Sequence, residues 1–310
     1  MEKPNEIEIN IPPIESLINS IIPKNNTHNI ERTSHNFSTI VFKIIGNKIF
    51  YLRIAVDKKE NFTPETLIHS KLIELGLKVP EIIFFENFSA KLNGHSFMLI
   101  PDIGGIQMNN DIFKEVIYEA GKRLAKINSL QFKGFGMIER FSNDISEIKG
   151  SKENHIDFIL NFYKEKLLKI CRNNIITDCD VTRLENFIEQ NKHLLDIDRG
   201  NLVHGDFNLN HIFQKDGVLS GIIDFGDAKI SNQFYDLAYF KICNRNYFED
   251  LFDGYKQNIV LPENWENILK ITTLIVGIRI ISSEIDNINF VDNKILKEKI
   301  KSFKKEVAGL

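Results

Sequence analysis

Two aspartates set beside glycines could do chemistry together. Asp206 stands in Val203-His204-Gly205-Asp206-Phe207-Asn208-Leu209-Asn210-His211, and Asp224 opens Asp224-Phe225-Gly226-Asp227, eighteen residues further on. Between them, Ile212 to Gln214, the turn Lys215-Asp216-Gly217 and Val218 to Ile223 have the pattern of a hairpin with an Asp-Gly turn. That hairpin would carry one loop to the other. Two carboxylates so placed can divide a task, one orienting and deprotonating a hydroxyl while the other ligates a metal ion. Transfer of a phosphoryl group needs both, because its charge is spread over several oxygens and catalysis lies mostly in positioning and neutralisation. Each motif alone is ordinary, since isolated Asp and Gly favour tight turns. Their order and spacing make the pattern specific.

The pair resembles the catalytic loop and metal loop of the protein-kinase-like fold. The run Val203 to Ile212, with Gly221-Ile222-Ile223-Asp224-Phe225-Gly226-Asp227-Ala228, is similar to the aminoglycoside phosphotransferase family. In local motif it is similar to the 2″-O-phosphotransferases and to the macrolide phosphotransferases. The resemblance implies that Asp206 is the catalytic residue that takes the acceptor hydroxyl, and that Asp224 holds Mg²⁺. Protein kinases have Asn five residues after the catalytic Asp, where this chain has His211. A neutral imidazole offers a nitrogen lone pair there, so His211 is expected as the second metal ligand. The alternative is that His211 caps or packs behind the loop. As a ligand it would lose metal, and the enzyme activity, as pH falls. Downstream, Phe234-Tyr235-Asp236-Leu237-Ala238 resembles the segment in which the family places a buried Asp at a helix start behind the catalytic loop. A simple N-cap would look the same.

Elements that position these loops follow from the pattern upstream. Thr39 to Ile45 and Lys48 to Ile54 alternate around Gly46-Asn47, a second hairpin signal. Arg53 sits where the resembled kinases have their phosphate-binding Lys, and a guanidinium can grip phosphate oxygens with two donors. A helix is expected from Pro64 to Leu75 with Thr63 as N-cap. Glu65 in its first turn matches the helix Glu that steadies the phosphate-binding cation, although the helix dipole alone favours an acid there. A phosphate-cradling loop is expected at Thr33 to Thr39, yet that stretch has no glycine. After Val79-Pro80, Ile82 to Phe85 and Gly94 to Ile100 have the pattern of strands, and Pro101-Asp102-Ile103-Gly104-Gly105 breaks it. The break resembles the hinge of the family, whose backbone contacts the purine, so Leu99, Ile100, Pro101 and Asp102 are the expected base-contacting residues.

The expected architecture is α+β: a protein-kinase-like two-lobed fold, with a small antiparallel-sheet lobe over residues 1–101 and a larger, mostly helical lobe over 102–310. Helices are expected at 111–129, 152–170, 181–195, 265–282 and 293–307 from their apolar periodicity. A chain of 310 residues with 43% hydrophobic content can build two such cores. Its net charge of −3 leaves no electrostatic footprint for nucleic acid. The start Met1 to Glu6 is polar, and the late apolar stretch 271–281 is short and holds Arg279, so no membrane span is expected. Cys171, Cys179 and Cys243 have no metal-ligand spacing, which fits a reduced, cytoplasmic setting.

The expected activity is transfer of the γ-phosphate of ATP or GTP, with Mg²⁺, to a hydroxyl of an antibiotic, an aminoglycoside first. The chain would act as a monomer, with the nucleotide between its lobes. A polycationic acceptor calls for carboxylates, and Glu249, Asp250, Asp253, Glu284 and Asp286 are the candidates. A macrolide would ask instead for an apolar wall, which the 24 Phe could supply. Choline, homoserine, methylthioribose and fructosamine kinases share the resemblance and are further alternatives. A non-catalytic nucleotide-binding module is the reading from another class, suggested by the missing glycines and by Arg53.

Overall fold

The computed structural model describes residues 11–22, 29–35, 38–108, 112–140, 144–286 and 293–310. The chain divides into two units, Met1–Gly104 with Arg140–Glu147, and Gly105–Glu139 with Ile148–Leu310.

In the first unit, helix α1 (Ile11–Ile21) is followed by β1 (Asn29–His35), β2 (Thr39–Ile45), β3 (Ile49–Ala55), helix α2 (Thr63–Glu74), β4 (Phe84–Ser89) and β5 (His95–Pro101). The strands form one antiparallel sheet in the order β1-β2-β3-β5-β4. The expected hairpin is present, with Ile45 paired to Ile49 and Val41 to Arg53. Alternation buries Ile40, Phe42, Ile44, Leu52, Ile54, Phe97 and Leu99 against Ile14, Leu17 and Ile18 of α1. α1 and β1 were not expected as elements. The expected phosphate loop is partly strand, since β1 runs to His35, and Asn36 and Phe37 lie outside the described residues.

The cap of α2 also differs. Phe62, not Thr63, is the N-cap, and it supplies no side-chain bond. Asn61 Oδ1 accepts from the Thr63 N–H at 3.2 Å and Asn87 Oδ1 from the Phe62 N–H at 3.0 Å. The Thr63 hydroxyl is already an acceptor for Asn87 Nδ2 at 2.7 Å. Capping here comes from two Asn side chains, one of them distant in sequence. Arg140 packs with the first unit. Arg140 pairs with Glu60 and donates to the Lys59 carbonyl at 3.1 Å, and its own carbonyl accepts from Asn61 at 2.9 Å.

The second unit holds β6 (Ile106–Gln107), α3 (Lys114–Asn128), β7 (Gln131–Phe132), β8 (Phe135–Ile138), β9 (Gly150–Lys152), α4 (His155–Ile159), α5 (Tyr163–Arg172) and α6 (Asp178–Asn191). It continues with β10 (Gly200–Val203), β11 (Ile212–Lys215), β12 (Val218–Ile222), β13 (Lys229–Ser231), α7 (Tyr235–Cys243), α8 (Phe248–Tyr255), α9 (Trp265–Asp286) and α10 (Asn293–Ala308). The helix expected at 152–170 is split into α4 and α5, because Phe162 takes a left-handed φ of 55°. α4 has its own cap, with Asn154 Oδ1 accepting from Ile156 N–H at 2.8 Å. Short strands of this unit also form a sheet in the order β7-β10-β13-β8-β9, which the sequence did not suggest.

That sheet positions the site. β10 ends one residue before His204, β13 begins five residues after Asp224, and Val203 pairs with Lys229. The two loops are thus held side by side at one end of a ladder. Between them β11 and β12 close on Asp216 (φ 53°) and Gly217 (φ 74°), the positive angles of a type I′ turn. Beneath lies a core in which α7, α9 and α10 contribute Ala238, Ile242, Leu274, Ile275, Ile278 and Phe303.

Candidate active site

The structure brings Asp206, His211 and Asp224 together. His211 Nε2 lies 3.7 Å from Asp224 Oδ2, and His211 Nδ1 lies 4.0 Å from Asp206 Oδ2. Nδ1 is 2.8 Å from the Asp206 carbonyl. A carbonyl only accepts, so Nδ1 carries the proton and the Nε2 lone pair faces Asp224. His211 thus caps the loop through Nδ1 and stacks on His204, with Nε2 on the Asp224 side. Its two nitrogens serve opposite ends of the site.

Three buried groups fix the loops. Asp236, with no solvent exposure, accepts from His204 N–H at 2.8 Å, Gly205 N–H at 2.9 Å and Asn128 Nδ2 at 3.0 Å. It lies inside α7 rather than at the N-cap, which is Phe234. His204, also fully buried, donates from Nε2 to the Ile223 carbonyl at 2.9 Å, joining the Asp206 loop to the residue before Asp224. Burial, and then the neighbouring His211, hold the His204 pKa below its ordinary value. Gly205 has φ +88°, and a Cβ there would stand 2.1 Å from the Asp227 carbonyl oxygen, so only glycine lets the loops approach this closely.

Asp224 itself takes the left-handed conformation, φ 68° and ψ 66°. Gly226 is not among the positive-φ glycines. The bend that turns this loop falls on Asp224 itself, a residue type that tolerates it. Asp206 is approached by Asn208, whose Nδ2 donates to Oδ1 at 3.0 Å. Tyr239 lines the cavity beside Asp206, and burial, then Cys243 and Asp206, push the pKa of its phenol well above the ordinary value. Neither Asn208 nor Tyr239 was singled out from sequence. Tyr239 could have been found, because it lies three residues beyond Asp236 on one helix face.

A cavity of about 810 Å³ opens beside Asp206 and His211. Of the carboxylates expected to receive a polycation, Glu284 lines it, and Glu284 is paired with Lys299 from α10. Asp250 pairs with Lys114, Asp253 with Lys256 and Asp286 with Lys169. Burial pulls the Lys299 pKa down, but Cys243, Glu284 and Asp206 outweigh it and the net shift is upward. Arg245, Lys294, Lys299, Lys301 and Lys305 line this cavity against Asp206, Glu284 and Glu298.

In the first unit, Arg53 and Glu65 form an ion pair, 9% and 8% exposed. Glu65 is held there by the guanidinium rather than by the helix dipole alone, and His69 Nε2 stands 3.7 Å from it. Leu99 on β5 pairs with Leu52, and its carbonyl accepts from Ile83 N–H at 2.9 Å. Ile100 and Pro101 pair with Tyr51 and Phe50. The Asp102 N–H donates to the Ile49 carbonyl at 2.9 Å, and burial, then the Asp102 carboxylate, raises the Tyr51 pKa above its ordinary value. Thr33 of the expected phosphate loop donates to the Val41 carbonyl at 3.0 Å.

Among the described residues no group of three or more His, Cys, Asp and Glu could hold a metal ion. Mg²⁺ does not ask for one, since it is usually bound by one or two carboxylates with phosphate oxygens and water. Asp224 supplies one such carboxylate, and His211 Nε2 stands 3.7 Å from it.

An antiparallel sheet with a buried Arg-Glu pair, and a helical unit carrying two aspartates on adjacent loops, define a kinase-like phosphotransferase. Over residues 30–260 the chain matches the phosphotransferase enzyme family (APH), and it belongs to that family. An aminoglycoside 3′-phosphotransferase of Enterococcus faecalis is 24% identical over 242 residues, spanning 74% of this chain and 85% of the relative. A namesake from Staphylococcus aureus is 23% identical over 241 residues, with the same coverage. Among solved structures, a thermostable mutant of aminoglycoside phosphotransferase APH(4)-Ia, in ternary complex with ADP and hygromycin B, superposes with a TM-score of 0.69. It is 15% identical, and the match covers 95% of this chain and 97% of that one. The GDP complex of aminoglycoside 2′-phosphotransferase-IIIa superposes with a TM-score of 0.60 at 15% identity, covering 96% and 98%. The fold and the phosphotransferase class are common to all. Their names specify different acceptor positions, and none singles out the 2″-hydroxyl for this chain. Among the described residues no helix is long and apolar enough to cross a membrane.

Proposed function

We propose that this enzyme transfers the γ-phosphoryl group of ATP or GTP to a hydroxyl of an aminoglycoside. The observation that carries the reading is the convergence of Asp206, His211 and Asp224, tied together by Asp236 and His204. Asp206 orients the acceptor hydroxyl and receives its proton as the oxygen attacks the γ-phosphorus, and the nucleoside diphosphate leaves. Asp224 and the Nε2 of His211 are the groups that would hold Mg²⁺, which when bound neutralises phosphate charge. Arg53, kept in place by Glu65, grips phosphate oxygens. The purine contacts fall on the backbone from Leu99 to Asp102, with the Pro101 carbonyl favoured because the Leu99 carbonyl and Asp102 N–H are engaged elsewhere. The names of the relatives support the acceptor class. The division into a nucleotide-binding lobe and an acceptor-binding lobe, and a monomer acting in the cytoplasm, belong to the same reading.

A second reading is favoured by the charge of the cavity. Five basic side chains line it against three carboxylates, and although Lys299 is paired with Glu284 and Arg245 with Glu306, the remaining lysines would suit an acceptor bearing an anionic group. Mg²⁺-dependent nucleoside diphosphate release should be measured with ATP and with GTP against aminoglycosides, macrolides, choline, homoserine, and neutral and phosphorylated sugars. Turnover on an aminoglycoside supports the first reading, and turnover confined to anionic acceptors supports the second. Asp206→Asn should keep nucleotide binding and lose ~10²–10⁴-fold in turnover. Near-native turnover in that variant would remove Asp206 from its role. Nucleotide binding with no turnover on any acceptor would favour the non-catalytic module.

A further inference from the structure

The side-chain amide of Asn208 spends both of its polar atoms on the catalytic loop. Its Oδ1 accepts from the Asn210 N–H at 2.9 Å and so caps the short turn Leu209–His211. That bond decides which way the amide faces, because the oxygen must accept and the nitrogen opposite must donate. Nδ2 is thereby aimed back at Asp206, 3.0 Å from its carbonyl oxygen and 3.0 Å from its carboxylate Oδ1. Two amide hydrogens meet two acceptors of one residue. The turn beneath the amide is itself anchored: the His211 N–H donates to the Asn208 carbonyl at 3.1 Å, and the Leu209 N–H donates to Oδ1 of Asn244, just past α7, at 3.2 Å.

We propose that Asn208 is a positioning residue for Asp206, its amide holding carboxylate Oδ1 so that Oδ2 is the oxygen presented to the acceptor hydroxyl. The inference rests on the reading of Asp206 as the group that takes the acceptor proton. The χ2 torsion of an aspartate is soft, so an untethered carboxylate swings and offers its two oxygens in turn. One bond at Oδ1 removes that freedom. The Asp206 side chain is still 32% exposed, which leaves the tethered carboxylate open to the cavity beside it. Alignment of this kind acts on the reacting geometry rather than on ground-state affinity, so its loss falls on kcat. The carbonyl of Asp206 receives the other amide hydrogen together with His211 Nδ1 at 2.8 Å, and the backbone under the carboxylate is held as well.

An Asn that served only to cap the turn would make the same bond to Asn210. Asn208→Asp separates the two roles, because a carboxylate keeps an acceptor for the Asn210 N–H and removes the donor to Asp206. A cap alone predicts wild-type kcat in this variant. The expected result is instead a fall in kcat of roughly 10- to 100-fold, as for losing a hydrogen bond to a charged group, with acceptor KM, nucleotide Kd and Tm near the wild-type values. Asn208→Ala loses cap and donor together and should lower both Tm and kcat. Where Tm falls, nucleotide-binding stoichiometry gives the folded fraction, and kcat is taken per folded site. In an Asp206→Asn background, Asn208→Asp should cost nothing further, because both act through one carboxylate. Wild-type kcat in Asn208→Asp, or equal losses in both backgrounds, overturns the proposal. Near-native turnover in Asp206→Asn alone would instead bring down the underlying assignment.

Discussion

The imidazole Nε2 of His211 faces Asp224 Oδ2 across 3.7 Å, while its Nδ1 is bound to the carbonyl of Asp206. The bond at Nδ1 selects the tautomer, so a lone pair and a carboxylate converge from neighbouring loops. Replacing His211 by Ala should weaken Mg²⁺-dependent nucleotide binding by at least the ~10- to 100-fold typical of losing a metal-site partner. Metal-free nucleotide binding should hardly change. His211→Asn, which restores a neutral donor atom, should recover part of the loss. Calorimetric titration with and without Mg²⁺ would decide, and equal affinities in wild type and the Ala variant would take His211 out of the metal site.

Asp236 is the anchor of the catalytic loop. Ala in its place leaves the N–H groups of His204 and Gly205 stranded in a dry site and takes one of two acceptors from the Asn128 amide, which keeps its bond to the Leu202 carbonyl. Each stranded donor costs about 1–3 kcal/mol, so the variant should lose roughly 2 kcal/mol or more. Denaturant unfolding measures this directly. A loss below about 1 kcal/mol would show that the loop holds its shape without Asp236.

Much of this site was legible in the sequence because it is local. The hairpin between the loops is written in Asp216-Gly217, whose positive φ angles few other dipeptides supply. Glu65 was legible as well, by its place in the first turn of a Pro-opened helix. Tertiary decisions were hidden. Nothing near Thr63 announces that Asn87 will take over its capping role. The break at Phe162 has no glycine or proline to mark it. The reach of Lys299 into the cavity beside Asp206 depends on how α10 packs, and no local pattern encodes that.

The Arg53–Glu65 pair is buried, so its parts should not behave alike. Arg53→Met leaves Glu65 in an apolar setting without its guanidinium, and should cost about 3–5 kcal/mol of stability. Adding Glu65→Leu should restore most of it, since an apolar pair of similar volume is often no less stable than the ions. Turnover should stay low in both, because the phosphate-gripping cation is gone from both. Thermal unfolding and kinetics on the two variants check this. Recovery of activity in the double variant would mean that the pair serves stability alone.

His155 should make the second unit sensitive to mild acid. Burial, opposed by the bond to the Leu195 carbonyl and assisted by Arg279, lowers its pKa from 6.5 to about 4. Nδ1 donates to that carbonyl at 2.7 Å, and Nε2 accepts from the Ser231 hydroxyl at 3.1 Å and the Asn232 N–H at 3.3 Å. A second proton has no place in this arrangement. Above pH 6.5 the imidazole is neutral folded or unfolded, and its contribution to stability is complete. As pH falls from 6.5 toward about 4 the unfolded chain binds a proton that the folded chain refuses. Unfolding gains up to about 1.4 kcal/mol for each pH unit in that window. His204, also held low by burial, acts in the same direction. His155→Gln should therefore flatten the stability curve between pH 4 and 6.5 by up to one proton's slope while leaving the plateau above 6.5 level. Denaturant midpoints at half-unit pH steps would test it, and parallel curves for variant and wild type would show that His155 titrates alike in both states.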